Sequence, residues 1–174
     1  MRDYVMKILG IDPGYAIVGW GVIEYKNNHF RALDFGAVLT EAHTPFNERL
    51  EIIYNGLNEV IERNNPDVMS IEKLFYNSNQ KTVIDVAQAR GVVMLCAQQH
   101  GLPVFEYTPL QVKQSVVGYG RAEKKQVQQM TKRILSLEKV PRPDDTADAL
   151  AMAICHAHSS GSVFYGNMKI RKGI

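Results

Sequence analysis

Leu9 to Ile23 reads LGIDPGYAIVGWGVI, and the fold turns on this stretch. The run Lys7 to Asp12 (KILGID) is apolar up to its last residue and stops at Pro13-Gly14, so it reads as a buried strand closed by a turn. Ile17 to Tyr25 is rich in β-formers and ends at Asn27-Asn28, a turn pair, and His29 to Thr40 gives a third strand. Their tight spacing predicts an antiparallel meander. Beyond it, Phe46, Leu50, Ile53, Leu57, Val60 and Ile61 recur at helical spacing before Asn64-Asn65-Pro66.

A short strand, Asp67 to Glu72, follows, then a polar stretch from Tyr76 to Gln80. Thr82 to His100 reads as a helix with Gly101 as its cap, and Pro103 to Tyr107 as a fifth strand. Pro109 to Val117, Ala122 to Leu137 and Asp144 to His158 read as three further helices. Strands that give way to alternating helices and strands predict an α/β fold, a five-stranded mixed sheet with helices on both faces. The right-handed crossover rule makes strands one and four parallel neighbours. Residues 1–158 are expected to form a single domain, and residues 159–174, mixing Gly, Ser and Lys without periodicity, a flexible basic tail.

The 174 residues are 45% hydrophobic and 22% charged, a globular composition that excludes collagen-like, disordered and disulfide-rich classes. No apolar run approaches the ~18 residues of a membrane span, and Met1 to Gly10 lacks the pattern of a secretory signal. Cys96 and Cys155 fit reduced core thiols, so a cytoplasmic location without membrane association is expected. Residues 1–110 carry 9 Lys and Arg against 13 Asp and Glu, while residues 111–174 carry 11 against 5. A solvated charged surface and a polyanionic partner are both compatible with that asymmetry.

The acids carry more. Asp12 and Glu72 end strands expected to be adjacent, and Asp145 and Asp148 stand three apart at the start of an Ala-rich helix, on one face. Brought together, they would repel one another unless protons or a cation neutralised them. Oxygen-only ligands suit Mg2+ or Mn2+ rather than zinc, and two such ions can drive phosphodiester hydrolysis. The plain alternatives are that Asp145 and Asp148 favour a helix N-terminus and that Glu72 is a surface residue. Asp12, set between Ile11 and Pro13 at the end of a buried strand, is costly without a purpose. Asp144 is read as a first-turn residue, and His156 and His158, which diverge on a helix, as structural.

The segments LGIDPGYAIVGWGVI, SIEKLFYNSN, ARGVV, VFEYTPLQVKQSVVGYGRAEKKQV and DDTADALAMAICHAH, in this order, resemble the RuvC family of bacterial Holliday junction resolvases over about residues 7–158. The resemblance implies an RNase H-like fold and Mg2+-dependent, paired nicking of four-way junction DNA by a homodimer in recombination and repair. It places the catalytic and metal-ligating acids on Asp12, Glu72, Asp145 and Asp148, holding two Mg2+ ions per site, with Mn2+ able to substitute. One ion would lie with Asp12, Asp148 and Asp145, the other with Asp12 and Glu72. It places a base-contacting aromatic on Phe75 and DNA-contacting lysines on Lys113 and Lys124, and implies RuvA and RuvB as partners. Lys132 and Arg133 read instead as a solvated helix face.

The Asp-x-Gly turn with its hairpin also resembles the phosphate loop of actin, hexokinase and heat-shock chaperone ATPases. That scheme needs two lobes and has no place for the basic stretch after Lys113. An RNA-processing or transposition relative of the same fold is a second alternative, and a junction-binding module without catalysis a third. The third leaves four mutually repelling acids without a physical reason.

Overall fold

The computed structural model describes residues 5–74 and 80–167. Its centre is one five-stranded sheet in the order β3-β2-β1-β4-β5. The meander forms as expected: β1 (Met6–Asp12), β2 (Ile17–Lys26) and β3 (His29–Leu39) pair antiparallel in succession. Lys26 pairs with His29, so Asn27 and Asn28 alone make the turn, with φ of 47° and 64°. Asparagine tolerates this left-handed geometry, and two such residues give the turn whose twist matches a hairpin.

Helix α1 (Phe46–Asn64) carries the chain to the other side of β1 and ends at Asn65, φ 46°, whose N–H donates to the Ile61 carbonyl. Strand β4 (Val68–Glu72) then lies parallel to β1, with Ile8 opposite Val68 and Ile11 opposite Ile71. The same register brings Asp12 level with Glu72. Helix α2 (Gln80–Gln99) leads to β5 (Val104–Tyr107), parallel to β4. Helices α3 (Pro109–Val117), α4 (Lys124–Ile134) and α5 (Asp144–Asn167) complete the chain. Thr108 and Gln111 form a reciprocal cap at the start of α3, and Glu123 and Gln126 do the same for α4.

Strand alternation sorts the core into two layers. Leu9, Ile11, Val18, Met69 and Ile71 face α1 and α2, whereas Met6, Ile8 and Val68 face α3, α4 and α5. Helices therefore cover both faces, as the periodicity predicts.

Small residues decide how close α5 comes. Gly10 and Gly21 are cross-strand partners, as are Asp12 and Gly19, and all four lie on the α5 side. A Cβ on Gly10 would overlap the Ala149 carbonyl, and one on Gly19 would overlap the Asp145 carbonyl. Ser70, paired with Gly10, is fully buried and donates to the Met152 carbonyl at 2.8 Å. Thr146 donates to the Gly36 carbonyl at 3.0 Å, tying the first turn of α5 to β3. The helix thus rests directly on backbone.

One expectation needs correcting. Helix α5 does not stop at His158 but runs to Asn167. The Ser159 and Ser160 hydroxyls donate to the carbonyls of Cys155 and Ala157 at 2.8 and 2.9 Å. Turned back onto their own helix, these serines do not break it. Residues 168–174 lie outside the described residues, so the expected tail is described only up to that point. No helix among the described residues is long and apolar enough to cross a membrane.

Gly19→Ala should lift the start of α5. An overpacked core position costs about 1–3 kcal/mol, so thermal unfolding should show a Tm lower by roughly 2–12 °C in a chain of this size.

Candidate active site

Four acids arrive at one end of the sheet by three routes. β1 delivers Asp12 and β4 delivers Glu72 from neighbouring strand ends, while the first two turns of α5 supply Asp145 and Asp148. Burial, and neighbouring charge after it, show in the protonation of three of them. Burial, then Asp148, Glu72 and Asp145, push the Asp12 carboxyl from an ordinary 3.8 up to about 8, against a smaller opposing pull from Lys124. Burial, followed by Asp148, raises Glu72. Burial also raises Asp148, and Lys124 only partly offsets it.

Lys124, the first residue of α4, is the cation of this cluster. Its Nζ lies 2.7 Å from Asp148 Oδ2 and 4.0 Å from Asp144 Oδ2. Loss of hydration works against its charge, yet the surrounding acids win and its pKa lies above the ordinary value. Asp144 also pairs with Arg142, in keeping with a first-turn role.

These residues fit divalent cations. The donors are all carboxylate oxygens, and burial first and neighbouring carboxylates second hold three of the acids above their ordinary pKa values, with Lys124 only partly opposing. Among the described residues no three ligating side chains already converge as an ion's ligands would. Lys124 Nζ already pairs with one oxygen of Asp148, so an ion arriving there would meet positive charge.

The remaining predicted residues divide. Lys124 joins the acids. Lys113 sits half-buried on α3, beside buried Val112, and forms no ion pair with them. Phe75 lies outside the described residues. His156 and His158 are packing residues: His156 is buried 4.4 Å from the Phe105 ring and bonded to the Tyr107 hydroxyl at 2.8 Å, and His158 meets Phe30 edge-on at 5.1 Å. Both cysteines are buried and free.

Two features escaped the sequence reading. The glycine and serine floor under α5 had a signal, small residues two apart from Asp12 and Glu72 on the same strand faces. Arg90 on α2 had a weaker one, its place in ARGVV; its Nε donates to the Glu72 backbone carbonyl at 3.4 Å and its Nη2 pairs with Glu106.

A sheet of this order with acids at the ends of its two central strands and on the crossing helix defines the RNase H-like class. The family model for crossover junction endodeoxyribonuclease RuvC matches residues 8–156. The protein of that name from Clostridioides difficile (strain 630) is 63% identical over 155 residues, covering 89% of this chain and 92% of its own length. The one from Caldanaerobacter subterraneus subsp. tengcongensis is 56% identical over 155 residues, covering 89% and 94%. The structure of T. thermophilus RuvC in complex with a Holliday junction substrate matches with a TM-score of 0.86 at 36% identity, covering 91% of this chain and 96% of that one. The yeast mitochondrial Holliday junction resolvase Ydc2, with a TM-score of 0.66 at 12% identity, covers 96% and 84% and shares the fold. The chain belongs to the RuvC family.

Protonation links this site to stability. Because Asp12 titrates near 8 in the folded chain and at an ordinary 3.8 unfolded, the folded state binds the extra proton between those values. Stability must then fall as pH rises through that window. His156 acts oppositely lower down: burial drops it from 6.5 to about 4, so its contribution is lost as pH falls. Between pH 6.5 and about 8 the Asp12 shift therefore sets the trend. The metal-free protein should lose Tm from pH 6.5 to 8, Asp12→Asn should flatten that slope, and Mg2+ should raise Tm most at the upper end. Scanning calorimetry in EDTA and in Mg2+ checks all three.

Proposed function

We propose that this chain is an endodeoxyribonuclease that nicks four-way DNA junctions in paired fashion during homologous recombination and repair. The observation that carries the reading is the meeting of Asp12, Glu72, Asp145 and Asp148 at one end of a RuvC-family fold, where burial first and neighbouring carboxylates second raise Asp12, Glu72 and Asp148. A carboxylate cluster that burial drives toward protonation is suited to divalent ions, which would offset the buried charge. Its relatives are crossover junction endodeoxyribonucleases, and one of them was solved with a Holliday junction.

Asp12 would be shared by two Mg2+ ions, with Asp145 and Asp148 on one side and Glu72 on the other. Mn2+ would serve in their place. Bound there, the ions would supply hydroxide from water at neutral pH and offset charge on the departing 3′ oxygen. Asp12 would give up its proton where such ions bind. Lys124 would be available to the scissile phosphate, and Lys113, Arg121 and Lys125 lie on the same C-terminal half to meet neighbouring phosphates. Phe75 would stack on or wedge between bases at the branch point. Junction shape, more than base edges, would set selectivity, since branch points deform more easily than duplex.

A junction has approximate two-fold symmetry, and the proposal includes a homodimer that matches it. The surface of α2 supports this. Ile84 and Leu95 are 63% and 53% exposed, and a Cβ on Gly91 would meet nothing within 4 Å. Seven and eleven residues apart, the three share one helix face, so a second copy could approach closely along it. RuvA and RuvB follow as partners from family membership.

On a synthetic junction, Mg2+ should allow nicking that leaves ligatable ends, and EDTA should abolish it; linear duplex and an RNA–DNA hybrid should be poor substrates. Asp12→Asn should keep junction binding while nicking drops. Losing several kcal/mol of charge stabilisation corresponds to about a thousandfold or more in rate. Full activity in that variant would remove the metal site. Leu95→Glu should leave each protomer folded and weaken self-association at least tenfold by analytical ultracentrifugation; an unchanged dimer would place the interface elsewhere.

A further inference from the structure

We propose that Arg90, braced by Glu106, is a positioning residue for Glu72. This rests on reading Glu72 as an ion ligand. Glu72 is the last residue of β4, and just beyond it the Lys73 N–H donates to the Tyr107 carbonyl at 2.8 Å. A strand-terminal residue is free to fray, and a ligand carboxylate must be held to about 0.5 Å. Arg90 meets that need from the neighbouring helix.

Its guanidinium bridges two strands. Nε donates to the Glu72 carbonyl at 3.4 Å, and Nη2 pairs with the carboxylate of Glu106 on β5. Glu106 lies opposite Ile71 and Tyr107 opposite Glu72, so the clamp spans the last two rungs of the β4–β5 ladder. The Arg90 side chain is only 16% exposed, which leaves it little surface to offer DNA. Glu106 neutralises its charge, so it does not compete with an incoming ion as Lys124 does. It acts through the Glu72 main chain. A rigid planar fork can serve two acceptors on different strands in this way, whereas a lysine ammonium would be a point charge on a flexible stem.

Mn2+ affinity of the DNA-free protein, measured by electron paramagnetic resonance, gives a readout that needs no turnover. Outer partners of a metal ligand are typically worth 10–100-fold in affinity. Arg90→Ala should weaken Mn2+ binding by about that factor, and the Mg2+ midpoint for junction nicking should rise in proportion while the rate at saturating Mg2+ largely recovers. Arg90→Lys should fall between the two. Glu106→Gln, a change at a more exposed position, should shift the midpoint the same way by less, and it carries the test if Arg90→Ala does not fold. Junction affinity in EDTA should not move. Unchanged Mn2+ affinity in folded Arg90→Ala or Glu106→Gln overturns the proposal, as does weaker junction binding with normal Mn2+ affinity, which would make Arg90 a DNA contact. If instead the unaltered protein binds no Mn2+ and Asp12→Asn nicks normally, the metal reading of the site fails first, and this proposal with it.

Discussion

Backbone-to-backbone contact between α5 and the sheet governs the rest of this structure. Where most helices rest on side chains about a methyl or more in height, α5 begins on Gly19, Gly21 and Gly10, with Ser70 hydrogen-bonded beneath it. A side chain at any of these glycines would collide with α5, with its carbonyls at Gly10 and Gly19 or with Leu150 at Gly21. The helix start is thereby lowered to the level of the strand ends. Without that descent Asp145 and Asp148 would stand above Asp12 and Glu72 instead of among them.

The same descent creates an electrostatic problem. Acids taken out of water and set beside one another favour protons, and Asp12 is driven furthest. Two helix N-termini, those of α4 and α5, face this region, and their partial positive charge favours the anionic forms. Lys124 adds a full charge. Burial still prevails, and Asp12, Glu72 and Asp148 stay above their ordinary values. Proton uptake by Asp12 in the folded chain makes stability fall toward pH 8, and any cation bound by the folded chain alone would offset that loss.

Arg90 and Lys124 show two different uses of positive charge around one site. Lys124 sits among the carboxylates and balances part of their charge. Arg90 is tied to Glu106 and holds main chain, so it can stay where it is through a reaction cycle. The difference follows from what each touches, a carboxylate in the first case and a carbonyl in the second.

Much of this was legible in residue order. Period-two and period-3.6 patterning located all five strands and five helices, and Asn27-Asn28, Asn65 and Gly101 marked where they end, because each needs a backbone conformation few residues adopt. Asp12 stood out since an acid closing a buried strand is costly in any fold. The end of α5 was misread, because serine and glycine are ambiguous until it is known whether their hydroxyls turn back onto the helix. What residue order could not decide was proximity. That Lys124 rather than Lys113 reaches the acids, that glycines form a floor instead of a turn, and that Arg90 grips the end of β4 all depend on distances between segments far apart in the chain. Such distances are set only when the sheet register and the seating of α5 are settled together. Periodicity reports which way a side chain faces along its own element, whereas the partner it meets is decided by packing.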